Sequence, residues 1–88
     1  MKVIRILGFA SGALCPHAGQ YLETFDFEAF SGQGYGTFTP DPAKAMTFAD
    51  AEAALTFWNT QSKSQRTRPD GKPNKPLTAS HAEIMDSP

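Results

Sequence analysis

Residues 21–39 constrain the fold more than any other part of the sequence, because they combine a strand-like alternation with a glycine-rich turn. In residues 21–30, YLETFDFEAF, aromatic and other apolar side chains alternate with polar ones, which is the period of a half-buried strand. Three glycines follow in SGQGYG, and glycine adopts positive φ at little steric cost. Residues 37–39 predict a short returning strand. The segment therefore predicts a β-hairpin.

Residues 2–9 predict the first strand of the sheet. Val3, Leu7 and Phe9 fall on one face of an ideal strand, and Ile4 and Ile6 fall on the other. Apolar side chains on both faces are typical of a central or well-covered strand. The next segment, ASGALCPHAGQ, is rich in small residues and predicts a loop.

The second half of the chain predicts a capped turn, a short strand, one helix and a last strand. Asp41 precedes a proline and predicts a capped turn, and residues 46–48 predict a short strand. A stripe of apolar residues with period 3.6 predicts a helix over residues 50–64, with acidic residues at its beginning. Residues 77–85 predict the last strand.

These elements predict an α+β fold in a single small domain, with one main helix packed on a three- to five-stranded, mainly antiparallel sheet. We expect the helix to cover the apolar face of the sheet. Its side chains Leu55, Phe57 and Trp58 would then pack against Phe25 and Phe27.

Length and composition exclude several classes of protein. Eighty-eight residues make one domain, 1–88, in which 65–76 is a Pro/Gly-rich basic connector and 86–88 a polar tail. A single cysteine excludes a disulfide framework and any multi-cysteine zinc site. No apolar stretch approaches the roughly 20 residues that a membrane helix needs. Arg5 interrupts the N-terminal apolar run, so we expect no secretory signal and a cytoplasmic location, with no cofactor.

Charge is distributed unevenly along a chain whose net charge is −1. Residues 63–75 carry five basic side chains against one acidic, a net of +4, on a proline-stiffened segment that could follow a polyanion. A solvated linker is the alternative interpretation. We predict two contact patches, one basic and one acidic with a tyrosine: Arg66, Arg68, Lys72 and Lys75 form the first, and Asp26, Glu28 and Tyr35 form the second.

Two local clusters have the residue types of a chemical site without its full pattern. Cys15 and His17 could form a nucleophile–base pair or contribute to a metal site, but zinc normally takes four ligands, and His81 is the only other histidine. We expect the cysteine to pack as a small apolar group. The glycines of SGQGYG lack the Gly-Lys-Ser/Thr ending and the following helix of a phosphate-binding loop, which favours a hairpin turn.

Three segments, GFASGALCPHAGQYLETFD, GYGTFTPDPAKAM and RPDGKPNKPLTA, resemble small proteins of unknown function from bacteria and their phages. The resemblance covers most of the chain and implies a stand-alone small protein. It brings no known activity and no functional residues with it. Small phage proteins often act by occluding a host machine, so the resemblance makes an inhibitor of a host system one hypothesis.

Our leading prediction is a binding module that is not an enzyme and that docks on a protein or ribonucleoprotein partner. A nucleic-acid-binding protein that uses residues 63–75 is an alternative, and a small metal- or thiol-dependent enzyme that uses Cys15 and His17 is another. A homodimer is also open, because the strand at 2–9 or the last strand could lie at the margin of the sheet.

Overall fold

The sheet of the computed structural model, which describes residues 1–87, has four strands that are all antiparallel. The strands are β1 (Lys2–Phe9), β2 (Tyr21–Asp26), β3 (Tyr35–Thr39) and β4 (Ser80–Asp86). Their spatial order is β3-β2-β1-β4, so β1 is central, as its apolar residues on both faces predict. With one main helix on this sheet, the predicted α+β class is confirmed.

The helical elements are short. They are α1 (Ala29–Gly32), α2 (Ala51–Trp58) and two 3-10 turns at Pro42–Lys44 and Pro76–Ala79. The first 3-10 turn begins after Asp41, whose Oδ1 accepts the N–H of Ala43 at 2.9 Å, which confirms the predicted capped turn. The main helix α2 begins as predicted, because Asp50 Oδ1 accepts the N–H of Ala53 at 2.8 Å.

The predicted end of the main helix at residue 64 is wrong, because α2 ends at Trp58. The Asn59 side chain donates to the carbonyl oxygen of Leu55 at 2.9 Å, and the Thr60 hydroxyl donates to that of Thr56 at 3.2 Å. These side chains bind carbonyl oxygens of the last helical turn, as groups at a helix C-terminus do. The chain therefore leaves the helix without the glycine or proline that usually marks an end.

A β-bulge in β1 changes which residues share a face. Strand pairing with β4 shifts register between Ile6 and Gly8, which leaves Leu7 as the extra residue. Because one extra residue reverses the alternation, Phe9 lies on the face of Ile6. The prediction that Phe9 shares a face with Val3 and Leu7 is wrong for this reason.

A second bulge, in β2, creates the centre of the core. The pairing with β3 shifts between Leu22 and Thr24, which leaves Glu23 as the extra residue. Leu22 is fully buried, and Phe25 packs against the same cluster although three positions separate the two residues. A strict alternation would have put them on opposite faces.

The hairpin of residues 21–39 is confirmed by the pairing of β2 with β3. Its first strand is shorter than the predicted 21–30 and ends at Asp26, whose Oδ1 accepts the N–H of Glu28 at 2.9 Å. This local turn directs the chain out of the sheet. Asp26 and Glu28 therefore do not lie on one strand face. The returning strand begins at Tyr35, two residues earlier than predicted.

Helix α2 packs on the sheet, but its side chains are distributed differently from the prediction. The buried apolar cluster comprises Ile4, Ile6, Leu22, Phe48, Ala54 and Leu77. Phe57 covers it as expected, with its ring 5.1 Å from that of Phe27 and 5.3 Å from that of Phe48. Leu55, in contrast, is 51% exposed, and Trp58 is half-buried beside Ala82 and Ile84 of β4.

The remaining predicted strands are partly confirmed. Residues 46–48 contribute a single bridge, in which Lys2 and Phe48 exchange backbone hydrogen bonds of 2.7 and 2.8 Å. The first three residues of the predicted last strand, 77–85, lie in a 3-10 turn, and β4 continues through Asp86 into the predicted polar tail. Pro88, the end of that tail, lies outside the described residues.

Candidate binding surface

The basic loop, residues 63–75, overlaps the predicted connector 65–76 and is folded by backbone hydrogen bonds of its own. The N–H of Arg68 donates to the carbonyl of Lys72 at 2.8 Å, and the N–H of Asn74 donates to that of Arg66 at 2.9 Å. These bonds make a small hairpin within the loop. Its cationic side chains are consequently carried on a folded backbone.

The tip of the basic loop is a turn formed by Asp70 and Gly71. Asp70 Oδ1 accepts the N–H of Lys72 at 3.0 Å, and Gly71 adopts a φ of +83°, which its missing Cβ allows. Asp70 Oδ2 also lies 3.3 Å from Nη2 of Arg68. Both charged groups are about half exposed, so this ion pair contributes little to stability and chiefly orients the Arg68 side chain.

Most of the positive charge on the loop faces solvent. Arg66, Arg68 and Lys72 are exposed, and Lys75 is half-buried at the base of the hairpin. Within residues 1–87, no carboxylate pairs with the side chains of Arg66, Lys72 or Lys75. Three of the four predicted basic contact residues are therefore free of internal ion pairs.

Glu28, predicted as a contact for a partner, binds the chain itself. Its Oε1 accepts the hydroxyl of Ser62 at 2.8 Å, and its Oε2 accepts the N–H of Lys63, also at 2.8 Å. Oε1 further accepts the N–H of Ser64 at 2.8 Å and its hydroxyl at 2.7 Å. The carboxylate thus holds the beginning of the basic loop from 35 positions earlier in the chain.

These hydrogen bonds lower the pKa of Glu28 from 4.5 to about 2, with the backbone N–H of Lys63 as the largest cause, followed by the hydroxyl and N–H of Ser64. A carboxylate that accepts several donors is stabilised in its charged form. Glu28 is therefore fully ionised at neutral pH, and its acceptor capacity is directed at the loop.

Asn74 and Ser62 close the other side of the loop base. The Asn74 amide donates to the carbonyl oxygens of Gly32 at 2.6 Å and Gln65 at 2.9 Å, and the N–H of Ser62 donates to the Asn74 carbonyl at 2.9 Å. Ser62 is 1% exposed. Sequence reasoning missed both residues, because their partners come from α1 and from the far side of the loop.

Close packing between α1 and the loop requires glycine at position 32. A Cβ there would lie 2.5 Å from Cβ of Gln65 and 2.6 Å from Oγ of Ser62, and the φ is +89°. The two preceding residues, Phe30 and Ser31, also adopt positive φ, at 52° and 57°. Strained non-glycine residues persist where the surrounding contacts hold them in place. The turn and the loop therefore hold each other in position.

Asp26 and Tyr35, the other predicted acidic-patch residues, are direct partners across the hairpin of β2 and β3. Tyr35 is 57% exposed, and its ring packs edge-on against Phe30 with centroids 6.0 Å apart. Glu28 lies beyond the end of β2 and turns toward the basic loop. The structure thus brings Asp26 and Tyr35 together and assigns Glu28 to a different set of contacts.

An apolar cavity, here called the aromatic slot, opens beside Tyr35 and has a volume of about 290 Å³. Its aromatic walls are Phe9, His17, Phe25, Tyr35 and Phe38. The imidazole of His17 stacks on the ring of Phe38 with centroids 4.0 Å apart, and Phe9 meets His17 edge-on at 6.1 Å. The β1 bulge that brings Phe9 to this face is not visible in the sequence pattern, which is why the slot escaped prediction.

A cleft of about 420 Å³, lined mostly by polar residues, adjoins the slot, and Gln33 lines both cavities. The cleft lies between α1 and the basic loop, and its lining includes Gln65, Thr67, Arg68 and Asn74. Pro76, which directly follows Lys75 at the end of the basic loop, is a wall of the slot. The slot, the cleft and the loop therefore form one continuous surface.

Cys15 and His17 have separate surroundings. The Cys15 side chain is half-buried and packs against the core cluster, and His17 stacks on Phe38 in the slot. In the described part of the chain, no three His, Cys, Asp or Glu side chains gather closely enough to hold a metal ion.

One edge of the sheet is open. β4 pairs with β1 on one side, and none of the described residues pairs with its other side. The expectation that the last strand lies at the margin is confirmed, whereas β1 is central. Whether a second copy pairs with this edge stays a prediction.

No helix among residues 1–87 is long and apolar enough to cross a membrane. Comparisons of the whole chain with protein-family models, with curated proteins and with solved structures gave no match. The resemblance to small bacterial and phage proteins therefore stays a prediction from its motifs, and the function is proposed from the geometry of the surface.

Proposed function

We propose that this protein is a binding module, without a reaction of its own, that docks on a protein or ribonucleoprotein partner through the basic loop. One observation carries the proposal: the loop that concentrates the positive charge is folded and held at its base by Glu28 and Asn74. A solvated linker needs no such contacts.

A held loop suits binding because association has to offset the entropy lost when a flexible segment becomes ordered. Here the chain has already ordered the backbone that carries Arg66 and Lys72. Their side chains are exposed and have no acidic partner within residues 1–87, so a negatively charged surface can bind them without displacing an internal contact. Complementary charge also accelerates the encounter of the two partners.

The test is a charge reversal in the basic loop. The internal hydrogen bonds of Arg66 and Lys72 run through backbone atoms, so the double variant Arg66→Glu, Lys72→Glu should keep the hairpin. Lys44→Glu is the control, because Lys44 is an exposed basic residue outside the loop. Each protein would be cross-linked in a lysate of its source cells, and the captured partner quantified by mass spectrometry.

The proposal predicts that the wild type and Lys44→Glu capture the same partner, and that the double variant loses most of it. Capture should also weaken as salt rises, because the contacting charges are exposed. Equal capture by all three proteins, or none by any, would contradict the proposal. A captured bacterial enzyme or nucleoprotein whose activity falls on binding would make the module an inhibitor, as the resemblance implies.

A second candidate function, binding of single-stranded nucleic acid, is favoured by the rings of Tyr35 and Phe38 near the end of the basic loop. Aromatic rings beside a cationic segment are the usual means of holding unpaired bases. Fluorescence anisotropy with single- and double-stranded oligonucleotides at low salt tests it. This candidate predicts affinity for the single strand that falls steeply with salt. Anisotropy that stays flat with both oligonucleotides would rule it out.

A further inference from the structure

We propose that the aromatic slot receives one aromatic side chain from an acidic segment of the partner protein. The inference rests on the proposed function and gives that partner a chemistry: an aromatic residue flanked by aspartate or glutamate. The slot would take the ring, and the basic loop would take the flanking carboxylates.

The dimensions and floor of the slot suit a single apolar ring. Its volume of about 290 Å³ is just below the range for small-ligand sites, which begins at roughly 300 Å³, and is ample for one aromatic side chain. Ile6 and Leu77 lie at its floor, and both are almost completely buried. A ring that rests on this floor is shielded from water on that side, and removal of apolar surface from water is the main source of binding free energy at such sites.

The walls offer the geometry that aromatic rings prefer. His17 is already stacked on Phe38 and has Phe9 against its edge, so the three rings are held at fixed mutual angles. Tyr35 stands at the mouth and is 57% exposed, although it packs against Phe30. An entering ring would find both ring faces and ring edges, and offset or edge-to-face pairs are the favoured arrangements.

An amino-acid ring fits this lining better than a nucleobase. A base carries donors and acceptors around its edge, and burying them without partners is costly. The floor of Ile6 and Leu77 provides none, and the side chains with polar groups are a minority of the lining: His17, Gln33, Tyr35 and Ser80. Phenylalanine and tryptophan need little or no polar compensation at such a floor.

Charge complementarity points to acidic neighbours of the ring. The wall residue Pro76 directly follows Lys75, and Gln33 connects the slot to the cleft lined by Arg68. Lys75 and the exposed Lys72 have no acidic partner within residues 1–87. Carboxylates next to the buried ring would lie along these cations.

The experiment measures binding of two labelled peptides by fluorescence polarisation. One has a single tryptophan with two acidic residues on each side, and the other has alanine in place of the tryptophan. The wild type should bind the tryptophan peptide about tenfold or more tightly, because a buried aromatic anchor commonly contributes that much. An oligothymidine of similar charge is the third probe.

Two variants and one control locate the site. Tyr35→Ala removes a wall of the slot, and Ala79→Phe introduces a large ring at an exposed position of the lining. Both should abolish the preference for tryptophan. Phe30→Ala removes an exposed ring that touches Tyr35 but does not line the slot, and it should keep the preference. Thermal unfolding of each variant verifies that it folds.

Each outcome supports or overturns the inference that the slot receives an aromatic side chain. A preference for tryptophan that both slot variants lose supports the inference. Equal binding of the two peptides overturns it, and the proposed function survives that result if Arg66→Glu, Lys72→Glu still weakens capture of the partner. Binding of oligothymidine alone, with loss in Tyr35→Ala, also overturns it and identifies a nucleobase as the occupant.

Discussion

Glu28 binds Ser64 twice, because its Oε1 accepts the backbone N–H of Ser64 at 2.8 Å and its hydroxyl at 2.7 Å. The two residues are 36 positions apart in the sequence. This contact joins the turn that follows β2 to the beginning of the basic loop. It explains how a segment rich in proline, glycine and charge keeps one conformation on the surface of a small domain.

The Glu28 contact should depend on pH in a defined window. The pKa of Glu28 is about 2 in the folded protein and 4.5 at its ordinary value. A carboxylate whose pKa falls on folding stabilises the fold above its unfolded value, and it loses that contribution as pH falls through its folded value. The stabilisation is therefore complete above about pH 5 and is lost progressively toward pH 2.

A pH titration monitored by NMR measures the pKa of Glu28 in the folded protein. The amide resonance of Ser64 should shift with a midpoint near pH 2, as the pKa of Glu28 requires. In Glu28→Gln the shift should disappear, because the amide does not titrate. A wild-type midpoint near the ordinary carboxylate value would show that the loop amides do not bind Glu28 in solution.

Leu22 should be the most sensitive apolar position of β2, because it is fully buried at the centre of the core. Leu22→Ala should lower the free energy of unfolding by about 2–5 kcal/mol, the usual cost of removing a buried leucine side chain. Leu14 is 95% exposed, so Leu14→Ala should change the stability by less than about 0.5 kcal/mol. Urea unfolding compares the two, and similar losses would contradict the register of β2.

Substitution of Gly34 by alanine tests how closely residues pack around the aromatic slot. A Cβ at this position would lie 2.6 Å from Cζ of Phe25 and 2.8 Å from Cβ of Pro76. Gly34→Ala should cost about 1–3 kcal/mol in the free energy of unfolding, through overpacking added to backbone strain. Gly12 has a similar φ of +80°, and a Cβ added there would have no neighbouring atom within 4 Å. Gly12→Ala therefore measures the cost of backbone strain without overpacking. An equal loss in the two variants would show that the packing is looser than described.

The N-cap of α2 should stabilise the helix that covers the sheet. Asp50→Ala removes the acceptor of the Ala53 N–H and should cost about 1 kcal/mol. Asp50→Asn keeps a side-chain oxygen at the same position and should lower the free energy of unfolding by only about a few tenths of a kcal/mol. Thermal unfolding distinguishes them, and an alanine variant as stable as the wild type would show that the cap contributes nothing.

The fold was largely predictable because local patterns determine it. The alternation in 21–30, the apolar residues of 2–9 and the apolar stripe of 50–64 each identify an element that the structure contains, although the first and the last of these elements end earlier than predicted. Alternation cannot locate an extra residue, however, so the bulges at Leu7 and Glu23 reversed the faces of the residues that follow them. The end of α2 escaped prediction because no glycine or proline marks it, and polar side chains bind carbonyl oxygens of its last turn instead.

The candidate surface was only half predictable. Charge counting identifies the cations of 63–75, because exposed charge needs no tertiary structure to be recognised. The role of Glu28 depends on donors more than thirty positions away, and nothing around Glu28 itself indicates them. The aromatic slot likewise combines residues from β1, the following loop and β3, which only the folded chain brings together.

Backbone 15N order parameters across residues 63–75 test the central claim most directly, namely that the basic loop is a preformed surface held by Glu28. The structure predicts values near 0.85 in the wild type, as in rigid backbone, and a fall toward 0.6 or below in Glu28→Gln. The exposed acid Glu52 provides the control, since Glu52→Gln should leave the loop values unchanged. Wild-type values below about 0.6 throughout the loop would contradict the account.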